Sequence, residues 1–112
     1  MEREEIATML IEAHERGHNA AMNAELQMIT VVGYEDEPFP ICGFGSIKVK
    51  GIRGKTLTEF KKRGFGKSYT GGQVLFVHDY NQSYDMKREY AQAYAQTLQE
   101  RGFNAWSESR LD

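Results

Sequence analysis

Residues 73–107 read QVLFVHDYNQSYDMKREYAQAYAQTLQERGFNAWS, and this stretch decides the fold. Its apolar and β-branched beginning predicts a strand over residues 73–78. Ser83 then has the form of a helix N-cap, and the apolar side chains that follow recur at steps of three and four, which predicts a long helix. Gly102 ends that helix, and residues 103–107 predict another strand. Strand, helix and strand in this order predict a parallel β-α-β unit with a right-handed crossover.

The chain begins with a predicted long helix within residues 1–25. Apolar and small residues recur there at helical spacing, so we expect a helix from about residue 3 into the low twenties. The side chains on the apolar face become smaller toward the end of the helix, which would let the helix lie close to another backbone. Gly17 weakens the centre by up to about 1 kcal/mol relative to Ala, so a break near residues 14–18 stays open.

Two strands and a short helix are predicted between these segments. Residues 27–34 are β-branched and predict a strand, residues 35–40 form a turn with two prolines, and residues 42–50 predict a second strand. The period of two places one set of its side chains inward and the lysine-bearing end of the other set outward. The inward set is Gly43, Gly45, Ile47 and Val49. Thr56 and Glu59 have the spacing of a capping box, so the short helix should begin there.

Length and composition fit a single domain. The chain has 112 residues, a mass of 12.8 kDa and 40% hydrophobic residues, which suffices for one core. The sequence therefore predicts a single α+β domain over residues 1–112. We expect a mixed sheet of about four strands and the element order α-β-β-α-β-α-β.

The sequence favours a cytoplasmic location without a membrane. No stretch approaches the roughly 20 consecutive apolar residues that span a bilayer, and the N-terminus lacks the basic-then-apolar order of a signal peptide. Cys42 is a lone cysteine, which fits a reducing compartment.

Two motifs that suggest chemistry are incomplete. His14-Glu15-Arg16-Gly17-His18 matches the zinc motif H-E-x-x-H, but only 13 residues precede it, too few for the sheet that such proteases place before this helix. The favoured interpretation is an exposed polar helix face, with His14 and His18 as weak metal candidates. Residues 64–68 resemble the end of a P-loop but follow a helix instead of a strand. We therefore expect no cofactor and no assigned catalytic residue, and the sequence favours a protein that is not an enzyme.

Charge is strongly segregated along the chain. Residues 1–40 carry nine acids and two bases, whereas residues 41–70 carry eight bases and one acid. This basic segment predicts a binding surface, with nucleic acid, an acidic protein and a solvated face as open alternatives. A self-complementary contact with the acidic N-terminal segment would make a homodimer. The predicted binding residues are Lys48, Lys50, Arg53, Lys55, Lys61, Lys62, Arg63, Lys67 and Tyr69.

A second candidate site lies around the predicted β-α-β unit. Gln82, Ser83, Lys87 and Arg110 would lie near the carboxyl end of a strand and the amino end of a helix, where anionic ligands often bind. A small enzyme could use such groups. The alternative interpretation makes Gln82 and Ser83 turn and capping residues.

The chain resembles a family of small uncharacterised proteins of tailed bacteriophages and prophages. The resemblance covers about the last 70 residues and implies a family-like core over residues 41–112. Gly45-Ser46 stand where the family usually has Ala-Trp. Its motifs are Cys42-Gly43-Phe44, Tyr69 with Gly71-Gly72, Gln82-Ser83, Lys87, Glu89 and Ser109-Arg110-Leu111-Asp112. The resemblance implies a phage or mobile-element origin and bacterial cytoplasm, and it implies no activity.

These observations favour a non-enzymatic binding protein. The leading hypothesis is a phage protein that engages a host protein or nucleoprotein, for example to inhibit a defence system, through the basic face of residues 48–67. Direct nucleic-acid binding is the first alternative. A small enzyme or a metal-binding protein that uses His14 and His18 is the second.

Overall fold

A computed structural model describes residues 1–30, 33, 38–81 and 83–111, and this part of the chain forms three helices and six strands. In chain order they are α1 (Arg3–Met22), β1 (Met28–Ile29), β2 (Phe39–Pro40), β3 (Gly43–Lys50), α2 (Gly54–Lys62), β4 (Gly66–Lys67), β5 (Gln73–Phe76), α3 (Tyr84–Glu100) and β6 (Asn104–Leu111). The predicted α+β class and the long N-terminal helix are confirmed. None of the described helices is both long and apolar enough to cross a membrane.

The main sheet has the strand order β4-β5-β3-β6, and β1 and β2 pair separately. β5 and β6 both run antiparallel to β3, so they are parallel to each other with β3 between them. The predicted β-α-β unit is therefore present in strand direction, but its two strands are not neighbours. Each pairing in the described part of the sheet is antiparallel, which differs from the mixed sheet that we expected. The sequence pattern of residues 73–107 predicts the two strands and the helix between them, but it does not show that β3 lies between the two strands.

The inner face of β3 packs against α3. Ile47 and Val49 are fully buried there, as the period of two predicts. At Gly45, an added Cβ would lie 2.8 Å from the carbonyl oxygen of Lys87 in the first turn of α3. The main chains of α3 and β3 therefore lie in direct contact at Gly45. A larger residue at this position would leave too little room for the helix.

The helix α1 packs on α3 and is continuous. Gly17 lies against the buried ring of Tyr90, where an added Cβ would be 2.8 Å from Cδ2. The prediction that small residues permit a close approach is thus confirmed, and the alternative of a break near residues 14–18 is wrong. Ile6, Leu10 and Ala13 on the same helix are fully buried in the core.

The beginning of α2 corrects one prediction. Its N-cap is Arg53, three residues before Thr56, so Thr56 already lies in the first turn of the helix. The predicted capping box at Thr56 is therefore wrong. Glu59 instead forms ion pairs in a buried position, 3.0 Å from Lys62 and 3.8 Å from Arg3. The predicted stop at Gly64 is confirmed by its φ of 101°, which ends the helix in the left-handed region.

Three strand predictions differ in extent. β5 ends at Phe76, two residues before the predicted end at residue 78. β6 continues to Leu111 because it pairs along the whole of β3, whereas the sequence predicted its end at residue 107. The predicted strand over residues 27–34 is described as β1 at Met28–Ile29, and residues 31, 32 and 34 lie outside the described residues, as do 35–37 of the predicted turn.

Candidate functional site

The outer face of the sheet, turned away from α3, carries exposed aromatic side chains. Because side chains alternate along a strand, the inward position of Gly45 and Ile47 turns Phe44 and Ser46 to the outer face. Phe76 is the cross-strand partner of Ser46 and shares this face. The side chains of Phe44 and Phe76 are 42% and 57% exposed, an unusual degree for rings on a sheet.

A depression of about 460 Å³ lies on this face. Ser46 and Val74 line it and are nearly buried, so they form its floor. The residues that surround them are aromatic, cationic or hydroxyl-bearing. They include Phe44, Phe76, Tyr69, Lys48, Lys67, Ser68, Thr70 and Arg110. Tyr69 is fully exposed at its rim.

Two cations lie over the ring of Phe44. The guanidinium carbon of Arg110 is 5.1 Å from the ring centroid, and the ammonium of Lys87 is 6.0 Å from it. Both distances are in the range of cation–π attraction. Lys87 belongs to α3 and is nearly buried, while Arg110 belongs to β6 and is exposed. The structure thereby brings together two residues that the sequence analysis assigned to one ligand site.

A polar network holds the centre of the outer face. The ammonium of Lys48 lies 3.2 Å from both the Glu108 carboxylate and the Thr70 hydroxyl. The indole N–H of Trp106 donates to Glu108 at 2.9 Å. The hydrogen bond from Trp106, with a smaller contribution from Lys48, lowers the pKa of the Glu108 carboxyl. Glu108 is therefore ionised and keeps Lys48 over the middle of the sheet.

The other predicted binding residues divide between surfaces. Lys62 and Arg63 line a different depression, of about 410 Å³, beside β5. Lys55 is paired with Glu2 at 3.4 Å, and Lys50 lies 5.9 Å from the ring of Trp106. Arg53 and Lys61 are exposed at the beginning and the end of α2. The eight bases of residues 48–67 therefore do not share one surface, because β3 and α2 present them in different directions.

The remaining members of the second candidate site have separate outcomes. Ser83 caps α3, since its hydroxyl accepts a hydrogen bond from the N–H of Met86 at 3.3 Å. Its interpretation as a capping residue is confirmed. Gln82 lies outside the described residues.

The two histidines of the zinc-like motif each bind a tyrosine. Nδ1 of His14 lies 2.6 Å from the hydroxyl of Tyr90, and Nδ1 of His18 lies 2.9 Å from that of Tyr80. Burial raises the pKa of both phenols. Within the described ranges, no three His, Cys, Asp or Glu side chains are placed to share a metal ion.

Sequence reasoning placed Phe44 on the outward face of its strand but did not assign it, Phe76 or Trp106 to a site. Their shared signal is an aromatic residue on the outward side of three neighbouring strands, Phe44 on β3, Phe76 on β5 and Trp106 on β6. This signal can be recognised only when the strand order is known, and the sequence alone does not predict that order.

No protein-family model, curated protein or solved structure matches this chain. The resemblance to phage proteins therefore stays a prediction, and the function is argued from the geometry of the outer face.

Proposed function

We propose that this protein binds single-stranded nucleic acid on the outer face of its sheet. One observation carries the proposal: the exposed rings of Phe44, Phe76 and Tyr69 surround a depression that also holds cationic side chains. The cations at this depression are Lys48, Lys67 and Arg110. Aromatic rings that stack on bases, set among cations that neutralise phosphates, are the two elements of sequence-tolerant single-strand binding.

Unpaired bases fit this face better than a duplex. A duplex keeps the faces of its bases inside the stack and offers only their edges, so exposed rings on an open sheet gain little from it. A single strand can place its bases flat on Phe76 or Tyr69. The net charge of −2 does not oppose this, because α1 and its N-cap carry five of the sixteen acids, and α1 packs on α3, which covers the inner face of β3.

A fluorescence anisotropy titration with labelled single-stranded DNA, single-stranded RNA and a matched duplex tests the proposal. We expect both single strands to bind more tightly than the duplex. Because Lys48 is paired with Glu108, Lys67 and Arg110 are the cations at the depression that we expect to meet phosphates. Log K should then fall against log salt concentration with a slope of about −1.4, since each phosphate contact on a single strand contributes about −0.7. Trp106 is the single tryptophan and lies on this face, so its emission should change on binding.

Matched variants separate stacking from general effects. Phe76→Ala and Tyr69→Ala should each weaken binding by roughly 5- to 150-fold, because stacking on one base contributes about 1–3 kcal/mol. Ile11→Ala is the apolar control, since Ile11 is 47% exposed on α1. Equal losses in Ile11→Ala and Phe76→Ala would contradict stacking on the sheet.

A second pair of variants tests the charges. Lys67→Ala removes a cation at the depression, whereas Lys61→Ala removes one from α2. We expect the first change to reduce the salt slope by about 0.7 and the second to leave it unchanged. An affinity that does not depend on salt concentration, or no binding of any single strand at low salt, would contradict the proposal.

Capture of a host protein or nucleoprotein through residues 48–67 stays a prediction of the sequence. Its own test is capture from host lysate by the wild type and by a variant with Lys61, Lys62 and Arg63 changed to Glu. Partner loss in that variant, with unchanged nucleic-acid binding, would support protein capture through the surface beside β5.

A further inference from the structure

β6 is a long strand at the edge of the sheet. It has eight residues, Asn104–Leu111, and pairs with β3 along its whole length. The opposite edge is formed by β4, which has two residues. An exposed edge of this length presents a row of main-chain groups that another strand can bind.

The direction of these main-chain groups follows from the register. In an antiparallel ladder, the N–H and C=O of one residue point to the same neighbour, and the direction alternates along the strand. The N–H of Val77 donates to Gly45 at 2.9 Å, so Gly45 turns toward β5 and Phe44 turns toward β6. Phe44 pairs with Arg110, which therefore turns toward β3.

Alternate residues of β6 consequently turn their main-chain groups to the free edge. These residues are Ala105, Ser107, Ser109 and Leu111. Gln99 confirms this direction, because its side-chain amide donates to the carbonyl of Ala105 from outside the sheet at 2.8 Å. Within the part of the chain that the structure describes, the same contact occupies Ala105 and leaves the main-chain groups of Ser107, Ser109 and Leu111 for an incoming strand.

We propose that a second copy of this chain pairs with β6 in an antiparallel register centred on Ser109. This register places Glu108 opposite Arg110 of the partner subunit, twice by symmetry, so opposite charges meet on the outer face. A centre on Glu108 or on Arg110 would oppose like charges. A centre on Ser107 would require Ala105, whose carbonyl Gln99 already occupies. Charge and hydrogen bonding therefore select one register.

The contacts within one chain suit this pairing. Lys48 and Trp106 both contact Oε2 of Glu108, so the other carboxylate oxygen is placed for a guanidinium from the partner subunit. The Glu108 side chain is 49% exposed. The register supplies about six main-chain hydrogen bonds between the copies, two for each facing pair. Two sheets then become one sheet of eight strands, and the outer faces of the two copies adjoin.

Oligomeric state tests this inference without reference to nucleic acid, on which it does not rest. In sedimentation equilibrium we expect the wild type to shift with concentration from 12.8 kDa to twice that mass. Ser109→Pro removes an edge N–H that does not bond to β3, so the fold should persist while association weakens at least tenfold. Ser109→Ala keeps the N–H and should associate as the wild type does. A wild type that stays monomeric up to about 1 mM, or a folded Ser109→Pro variant that associates equally, overturns the proposal.

Cysteine crosslinking tests the register and decides the matter if Ser109→Pro does not fold. Cys42 is exposed and is first changed to Ser. In that background Ser109→Cys places two thiols at the twofold axis, with Cα atoms about 5.5 Å apart, within reach of a disulfide. Ser107→Cys is the control, because its Cα atoms would be too far apart. A disulfide dimer of Ser109→Cys alone supports the register. Equal crosslinking of both, crosslinking of Ser107→Cys alone, or none overturns it.

Discussion

Gly45→Ala should destabilise the protein through the main chain of α3. The new Cβ would lie 2.8 Å from the carbonyl oxygen of Lys87 and 3.0 Å from its carbonyl carbon. Ordinary contact needs about 3.5–4.0 Å, so the first turn of α3 must move by more than about 0.5 Å. Such overpacking costs about 1–3 kcal/mol, and the reduced chain entropy of Ala offsets about 0.4–1 kcal/mol. The expected net loss is about 1–2 kcal/mol.

Urea unfolding followed by Trp106 fluorescence and by circular dichroism measures this loss. Gly66→Ala is the matched control, since Gly66 is also a strand glycine and its added Cβ would meet nothing within 4 Å. The control should stay within about 0.5 kcal/mol of the wild type. The melting temperature of Gly45→Ala should fall by about 4–8 °C. Equal stabilities of the two variants would refute the close approach of α3 to β3.

Three further changes test single contacts. Ser83→Ala removes the cap of α3 and should cost about 1 kcal/mol in urea unfolding; no loss would contradict its capping role. Asp85→Ala removes a fully buried carboxylate that accepts the N–H of Gln27 at 2.7 Å. It should cost about 1–3 kcal/mol and accelerate exchange of that amide hydrogen, and unchanged exchange would contradict the contact. Burial raises the pKa of Tyr90, so the folded chain keeps this proton after the unfolded chain loses it near pH 10. Stability should therefore fall as pH rises above about 10, and this fall should be smaller in Tyr90→Phe.

The elements of this fold follow largely from local sequence, whereas their arrangement does not. The cap at Ser83, the stop at Gly64 and the inward side of β3 depend on neighbouring residues, and each was predicted correctly. The position of β3 between β5 and β6 depends on contacts between distant segments. The end of β6 likewise depends on the length of β3, so the sequence predicted it four residues early.

The candidate site was predictable in part for the same reason. Lys48, Lys67 and Tyr69 were assigned to a binding surface from charge and aromatic content, and they do line one depression. Lys62 and Arg63 were assigned with them because they are near in sequence, yet α2 turns them to another surface. The exposed aromatic rings on neighbouring strands could be grouped only after the strand order was known.

The insertion of β3 between β5 and β6 has a consequence for how the chain folds. β3 pairs with residues 104–111, about 60 positions later in the sequence, so the centre of the sheet depends on loop closure over much of the chain. During synthesis, one side of β3 stays unpaired until residues 104–111 have left the ribosome, although α1, β3 and α2 are made long before. Folding should therefore be slower than the helical content suggests, and nascent chains that stop before residue 104 should expose an unpaired side of β3 that chaperones can bind.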